Sequence, residues 1–220
     1  MAETTLVEAE QNGAMTVRPL VLNHVEMIYR RGETEHAQAF FETLGFTVTQ
    51  WEAWLFVSIS PDGNGIDNVM YANQPTPAQQ NFNDAFDQAV ANDPRLADTL
   101  KRYHAVAREW PYYNFHFGAS IPTHEDWQER VDRLQDASNN HPLLKGRIEV
   151  VVKEPTTPRA LTAQSQCFVF TDILAAGGPF AQGLQFELQW TPTPPSGVIN
   201  SETVAAIGPG NPFPEMSTLV

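Results

Sequence analysis

One arrangement of apolar and polar residues occurs twice in this 220-residue chain, and it limits the fold more than any other feature. The first copy opens on Leu20-Val21-Leu22-Asn23-His24-Val25-Glu26-Met27-Ile28-Tyr29, which reads as a strand. A helix over 34–44 follows, with Ala37, Phe40, Phe41 and Leu44 at i, i+3, i+4 and i+7 and Gly45 as its stop. Phe46–Thr49, Trp54–Ile59 and Asn68–Tyr71 read as strands, with a turn at Pro61–Gly65. The second copy opens on Asn114–Ser120. Thr123 and Asp126 are spaced as a capping box, and Trp127, Val131 and Leu134 form the stripe of its helix. Strands at 147–152, 166–171 and 185–190 complete it, with an Ala- and Gly-rich connection over 173–183. Two β-α-β-β-β units predict an α+β fold.

Between the copies, residues 76–111 read as a helical hairpin. Phe82, Phe86 and Val90 recur every four, Asp93-Pro94 interrupts, and Leu96, Leu100, Tyr103 and Val106 resume the pattern. The hairpin either lids a cavity or pads a sheet edge, and padding is the expectation. Residues 1–17 are polar and acidic, and 193–220 are rich in Pro and Gly, so both ends are expected to be loosely held. The predicted organisation is 1–17 flexible, 18–75 module one, 76–111 insertion, 112–192 module two and 193–220 tail.

Composition removes whole classes of function. At 42% hydrophobic and 18% charged residues the chain is globular rather than disordered, collagenous or coiled-coil. Thirteen Lys and Arg against 26 Asp and Glu give a net charge of −13, which repels phosphate backbones and anionic bilayers. Nucleic acid and membrane are therefore not expected partners; a small molecule is. The lone Cys167 sits in the apolar run Cys167-Phe168-Val169-Phe170 and is expected to be a buried thiol, not a nucleophile. Its solitude points to a reducing compartment. The opening residues lack the basic flank and apolar core of a secretory signal, and no apolar window reaches the ~20 residues of a membrane helix. The expectation is a soluble, cytoplasmic protein.

Three residues could carry chemistry together. His24 and His116 hold matching places in the two opening strands, and Glu187 alternates with Phe186 and Leu188 in the closing one. Two imidazoles and a carboxylate on one side of a divalent ion leave its other positions open for substrate. The positive charge left at such an ion polarises a bound oxygen or stabilises an enolate. A single strand histidine is more often a hydrogen-bonded structural residue; the repetition is what favours a site. Glu26 shares a face with His24 and is a candidate acid–base group or an orienting partner for a ligand histidine. Asn114 shares a face with His116, and Gln185 with Glu187. Tyr29, Tyr71, Tyr112 and Tyr113 offer phenols, although strand tyrosines usually pack half-buried. Trp51, Trp54 and Trp110 offer aromatic walls, whereas His36, His104, His124 and His141 are expected at the surface.

The runs Leu22-Asn23-His24-Val25-Glu26-Met27, Ala39-Phe40-Phe41-Glu42-Thr43-Leu44-Gly45-Phe46, Phe115-His116-Phe117-Gly118 and Phe186-Glu187-Leu188 resemble the vicinal oxygen chelate superfamily. That superfamily includes glyoxalase I, fosfomycin-resistance proteins, methylmalonyl-CoA epimerase and extradiol dioxygenases. The likeness covers residues 20–75 and 112–192. It implies that the two βαβββ modules form a curled mixed sheet, a cup with a metal at its floor, and that His24, His116 and Glu187 are the ligands. The fourth ligand of glyoxalase I is expected to be absent, because aligning Gly65 with Gly183 sets Val69 opposite Glu187; Asp67 is the substitute. Fosfomycin-type proteins need a basic cluster, and this chain has three lysines. The extradiol "D-P-x-G" turn before the closing Glu is missing. The resemblance implies a non-haem Fe(II) dioxygenase, with Mn, Zn, Ni or Co as alternative ions. Its alternatives are a metal-dependent lyase, isomerase or epimerase, and a metal-free drug-binding protein. Glu26 is then the catalytic candidate, and Asn114, Tyr71, Gln185 and Trp54 the substrate-binding ones. Modules pair within one chain or exchange in a homodimer.

Overall fold

The computed structural model describes residues 24–59, 68–155 and 164–191. The expected strand start at 20–23, the turn at 61–65, Asp67, and the segments 1–17 and 193–220 lie outside the described residues. Those residues form an α+β fold of four helices and two mixed sheets.

Both repeats take the same topology. Module one runs β1 (His24–Tyr29), α1 (Thr34–Thr43), β2 (Thr47–Trp51), β3 (Trp54–Ser58) and β4 (Val69–Asn73). Module two runs β5 (His116–Ser120), α4 (His124–Asn140), β6 (Ile148–Lys153), β7 (Ser165–Thr171), the two-residue β8 (Leu174–Ala175) and β9 (Leu184–Trp190). The first sheet has the order β2-β3-β4-β1-β8 and the second β5-β9-β7-β6. In each, the opening strand lies parallel to the closing one: His24 pairs with Val69 as His116 pairs with Gln185. This register corrects one alignment. The module-one position matching Glu187 is Tyr71, not Val69, because Glu26 faces Tyr71 as Gly118 faces Glu187.

Local chemistry accounts for the helices. Thr76 and Gln79 form a capping box at α2 (Pro77–Asn92). Asp93 ends α2 and begins α3 (Pro94–Glu109), its side chain accepting from the Arg95 and Leu96 amides. The Thr123 hydroxyl accepts from the Asp126 amide at the start of α4. At Gly45 the backbone has φ +85°, and an added Cβ would lie 1.8 Å from Arg130 Nη1. A glycine there both turns the chain out of α1 and lets the arginine reach the helix end.

One core joins the modules. Phe186 of β9 meets Phe40 and Phe41 of α1, with ring centroids 5.3 and 6.0 Å apart. Arg130 donates to the Leu44 carbonyl and Arg133 to that of Thr43, at 2.5 and 2.9 Å. Strand β8, inside the expected 173–183 connection, extends the first sheet by pairing with Ile28 and Tyr29. Arg147 bridges Glu33 and Asp172, 2.8 Å from each.

The insertion differs from the expected apolar hairpin. Phe82 is 57% exposed, and the buried residue of α2 is Asn83, whose Oδ1 accepts the Phe180 amide. Nor does it pad an edge. Arg108 pairs with Glu149 and lies over the Phe170 ring, the Pro111 carbonyl accepts from Gln185, and Tyr112 meets Phe168 edge-on. Helix α3 and the 3-10 turn Pro111–Tyr113 therefore cover the Glu187 face of the second sheet. Among the described residues, no helix is long and apolar enough to cross a membrane.

Candidate functional site

Pairing across the second sheet sets its side chains in rows. His116, Gln185, Phe170 and Glu149 occupy one row, and Gly118, Glu187, Phe168 and Val151 the next. Alternation sends Phe186 and Leu188 into the core and leaves Gln185 and Glu187 under the insertion. There both are buried, at 2% and 6% exposure. A carboxylate so placed needs partners.

It has two. His116 Nε2 lies 3.1 Å from Glu187 Oε2, and Gln166 Nε2 donates to Oε1 at 2.5 Å. The second imidazole nitrogen, Nδ1, donates to the Asn114 carbonyl at 2.8 Å. With Glu187 ionised, both ring nitrogens face acceptors, and an imidazolium satisfies both. The hydrogen bond to Glu187 is the main cause that raises the His116 pKa above its ordinary 6.5; burial opposes it. Gly118 faces the carboxylate across the sheet, where a Cβ would stand 3.4 Å from Glu187 Oε2, at the edge of ordinary van der Waals contact. The pair can donate a proton from Nε2 and hold the resulting neutral imidazole by its backbone partner.

Beneath α3 lies a cavity of about 470 Å³, whose lining includes neither His116 nor Glu187. Gln185 and Asn114 line it, together with Tyr103, His104, Arg108 and Phe170. Gln185 and Asn114, the candidate substrate-binding residues of the second module, thus stand next to His116 and line this cavity. The expectation that His104 lies at the surface is corrected: it is half-buried in this wall.

His24, Glu26, Tyr71 and Trp54 are brought together elsewhere. Register places all but Trp54 in adjacent rows of the first sheet, with the His24 and Tyr71 rings 5.4 Å apart and Trp54 6.5 Å from Tyr71. His24 and Glu26 are exposed, as are Trp51 at 63% and Trp54 at 41%. Among the described residues, no group of three or more His, Cys, Asp and Glu side chains is placed to hold a metal ion. The expected His24–His116–Glu187 trio is therefore not assembled. His116 and Glu187 supply two donors that are already bonded to each other, which does not fit a three-donor cation site.

No protein-family model matches the chain, and no curated protein matches it significantly. Among solved structures, one described as "Structure of hypothetical protein SA1046 from S. aureus" is similar over 80% of this chain and 95% of that one. Its identity is 9% and its TM-score 0.38, too low to bear on fold or activity.

Two contributors escaped the sequence reading. Gln166 is named by no motif, and only the pairing of β7 with β9 brings it to Glu187. His104 sits on a helix whose covered face was unknown before the fold was known. Cys167 behaves as expected: fully buried, its thiol pushed up to about 12 by burial first and Glu187 second.

Proposed function

We propose that the chain is an enzyme that moves a proton on a small organic molecule, in the lyase, isomerase or epimerase class, with His116 and Glu187 as its acid–base pair. The observation that carries this reading is the 3.1 Å contact between His116 Nε2 and a carboxylate that is 6% exposed. An imidazolium held this way can give its proton to a substrate, and the cavity lined by the neighbouring Asn114 and Gln185, though not by His116 or Glu187, offers the nearest room for one. His116 keeps part of its side chain, 24%, open to solvent, so a reacting atom has access.

A metal-dependent reading, including the Fe(II) dioxygenase, is favoured by one feature: the Nδ1 bond to the Asn114 carbonyl orients the ring as in ligand histidines. It needs a third donor that the pair does not supply, and so stands second. The cup of the vicinal oxygen chelate proteins belongs to this second reading. Deuterium exchange separates the two. A panel of small carbonyl compounds with an acidic neighbouring C–H is incubated in D₂O with the chain and with His116→Asn and Glu187→Gln. Exchange by the parent chain, lost in both variants and indifferent to chelator, supports proton transfer. Exchange that needs an added divalent ion and vanishes in His24→Ala supports the metal; equal exchange in all chains overturns both.

A further inference from the structure

The first sheet carries an aromatic face that the proton-transfer reading does not use. Register sets Trp51, Trp54, Phe56, Tyr71 and Glu26 on one side: Trp51 pairs with Trp54, Phe56 with Tyr71, and Tyr71 with Glu26. The alternate residues Leu55, Val57, Met70 and Ala72 are buried in the core. The aromatic side is open, with Trp51, Trp54 and Glu26 all exposed. Phe56 and Tyr71 meet edge-on with centroids 5.1 Å apart, and Trp54 is braced by both, 6.5 Å from each. The face is therefore a supported platform rather than a set of loose side chains.

Its charge is one-sided. Strands β1 to β4 and the turn between β2 and β3 contain two acidic residues, Glu26 and Glu52, and no lysine or arginine. Among the described residues Glu26 has no ion-pair partner. The electron-rich face of an aromatic ring attracts cations, tryptophan most strongly. A net charge of −13 draws cations from a distance and repels anions. Neighbouring strands lie about 4.8 Å apart, so Glu26 on β1 stands roughly 10 Å from Trp54 on β3 and roughly 14 Å from Trp51 on β2. A single small cation reaches one of these groups, whereas an extended chain bearing several cations reaches them all. Guanidinium is planar and weakly hydrated, and it stacks on aromatic faces better than an ammonium does.

We propose that this face docks an extended, arginine-bearing segment of a partner protein, its guanidinium groups lying on Trp51 and Trp54 and pairing with Glu26. The surface is on the first sheet and the His116–Glu187 pair on the second, so this inference stands apart from the proposed activity. The full chain, labelled with ¹⁵N, is titrated with a ten-residue peptide alternating arginine and serine, with the same peptide carrying citrulline for arginine, with spermine and with cellohexaose. The arginine peptide is expected to shift the Trp51 and Trp54 indole N–H signals saturably. It should bind at least about ten-fold more tightly than the citrulline peptide, which keeps the planar head group and loses the charge. Trp51→Ala combined with Trp54→Ala should weaken it about five- to thirty-fold. Glu129→Gln, an exposed acid on α4, should weaken it less than about two-fold, because its charge acts through solvent. Citrulline peptide, spermine or cellohexaose binding these indoles as tightly as the arginine peptide overturns the proposal. So do shifts that leave both indoles unmoved, and indole signals that move on diluting the chain alone, which would mean that a second copy covers the face. The comparison of ligands on the parent chain decides even if the double variant fails to fold.

Discussion

Replacing Phe186 with Ala probes the joint on which the site depends. Phe186 is 2% exposed and meets Phe40, Phe41 and Phe117, with ring centroids 5.3, 6.0 and 5.5 Å apart. Its neighbour Glu187 points the opposite way, so truncation attacks the core without touching the acid–base pair directly. A buried Phe→Ala change costs about 3–5 kcal/mol in lost transfer energy and cavity, a figure that already contains the ring contacts. Because two of those rings belong to α1, both modules should lose stability together. For a chain of this size, about 3–5 kcal/mol corresponds to a fall in Tm of roughly 6–20 °C. Urea denaturation followed by tryptophan fluorescence and by far-ultraviolet circular dichroism measures the change. Phe82→Ala, 57% exposed, serves as the control and should cost about 0.5 kcal/mol or less. Two separate transitions in the parent chain, or a loss below about 1 kcal/mol in Phe186→Ala, would refute the shared core.

Other expectations can be checked alongside. Cys167, with its thiol pushed up to about 12, should resist alkylation in the native chain and react at once in denaturant; rapid native labelling contradicts its burial. Arg147→Met removes the bridge from Glu33 to Asp172 and should destabilise the chain by about 1–3 kcal/mol, with the gap to the parent narrowing as salt rises. A salt-independent gap contradicts the ionic account. The His116 pKa is raised, so its contribution to stability is fully present below about 6.5 and is lost as pH rises through the raised value. The difference in unfolding free energy between the parent chain and His116→Asn should therefore shrink between about pH 6 and pH 9. A difference that grows over that interval has the wrong sign for this account.

The fold was largely legible because its signals are local. Strand alternation, the stripe of Phe40, Phe41 and Leu44, and the Thr123 cap each act within a few residues, and each appears where expected. The repeat was legible for the same reason, applied twice. What escaped is set by pairing register and packing. Shifting the β1–β4 register by two residues changes the partner of the Glu187 position from Val69 to Tyr71, and no single-strand pattern fixes that choice. The insertion misled because its apolar spacing is real while its burial depends on what it covers: Asn83 goes in and Phe82 stays out. At the site, His116 and Glu187 could be paired from alternation within one module. Joining them to His24 required the placement of one module on the other, on which spacing is silent.

The central claim is that Glu187 holds His116 as an imidazolium, and NMR titration of the His116 ring in the parent chain and in Glu187→Gln tests it most directly. The parent should titrate above 6.5. In Glu187→Gln the largest raising cause disappears while burial remains, so the value should fall below 6.5. A parent value at or below 6.5, or one that Glu187→Gln leaves unmoved, contradicts the account.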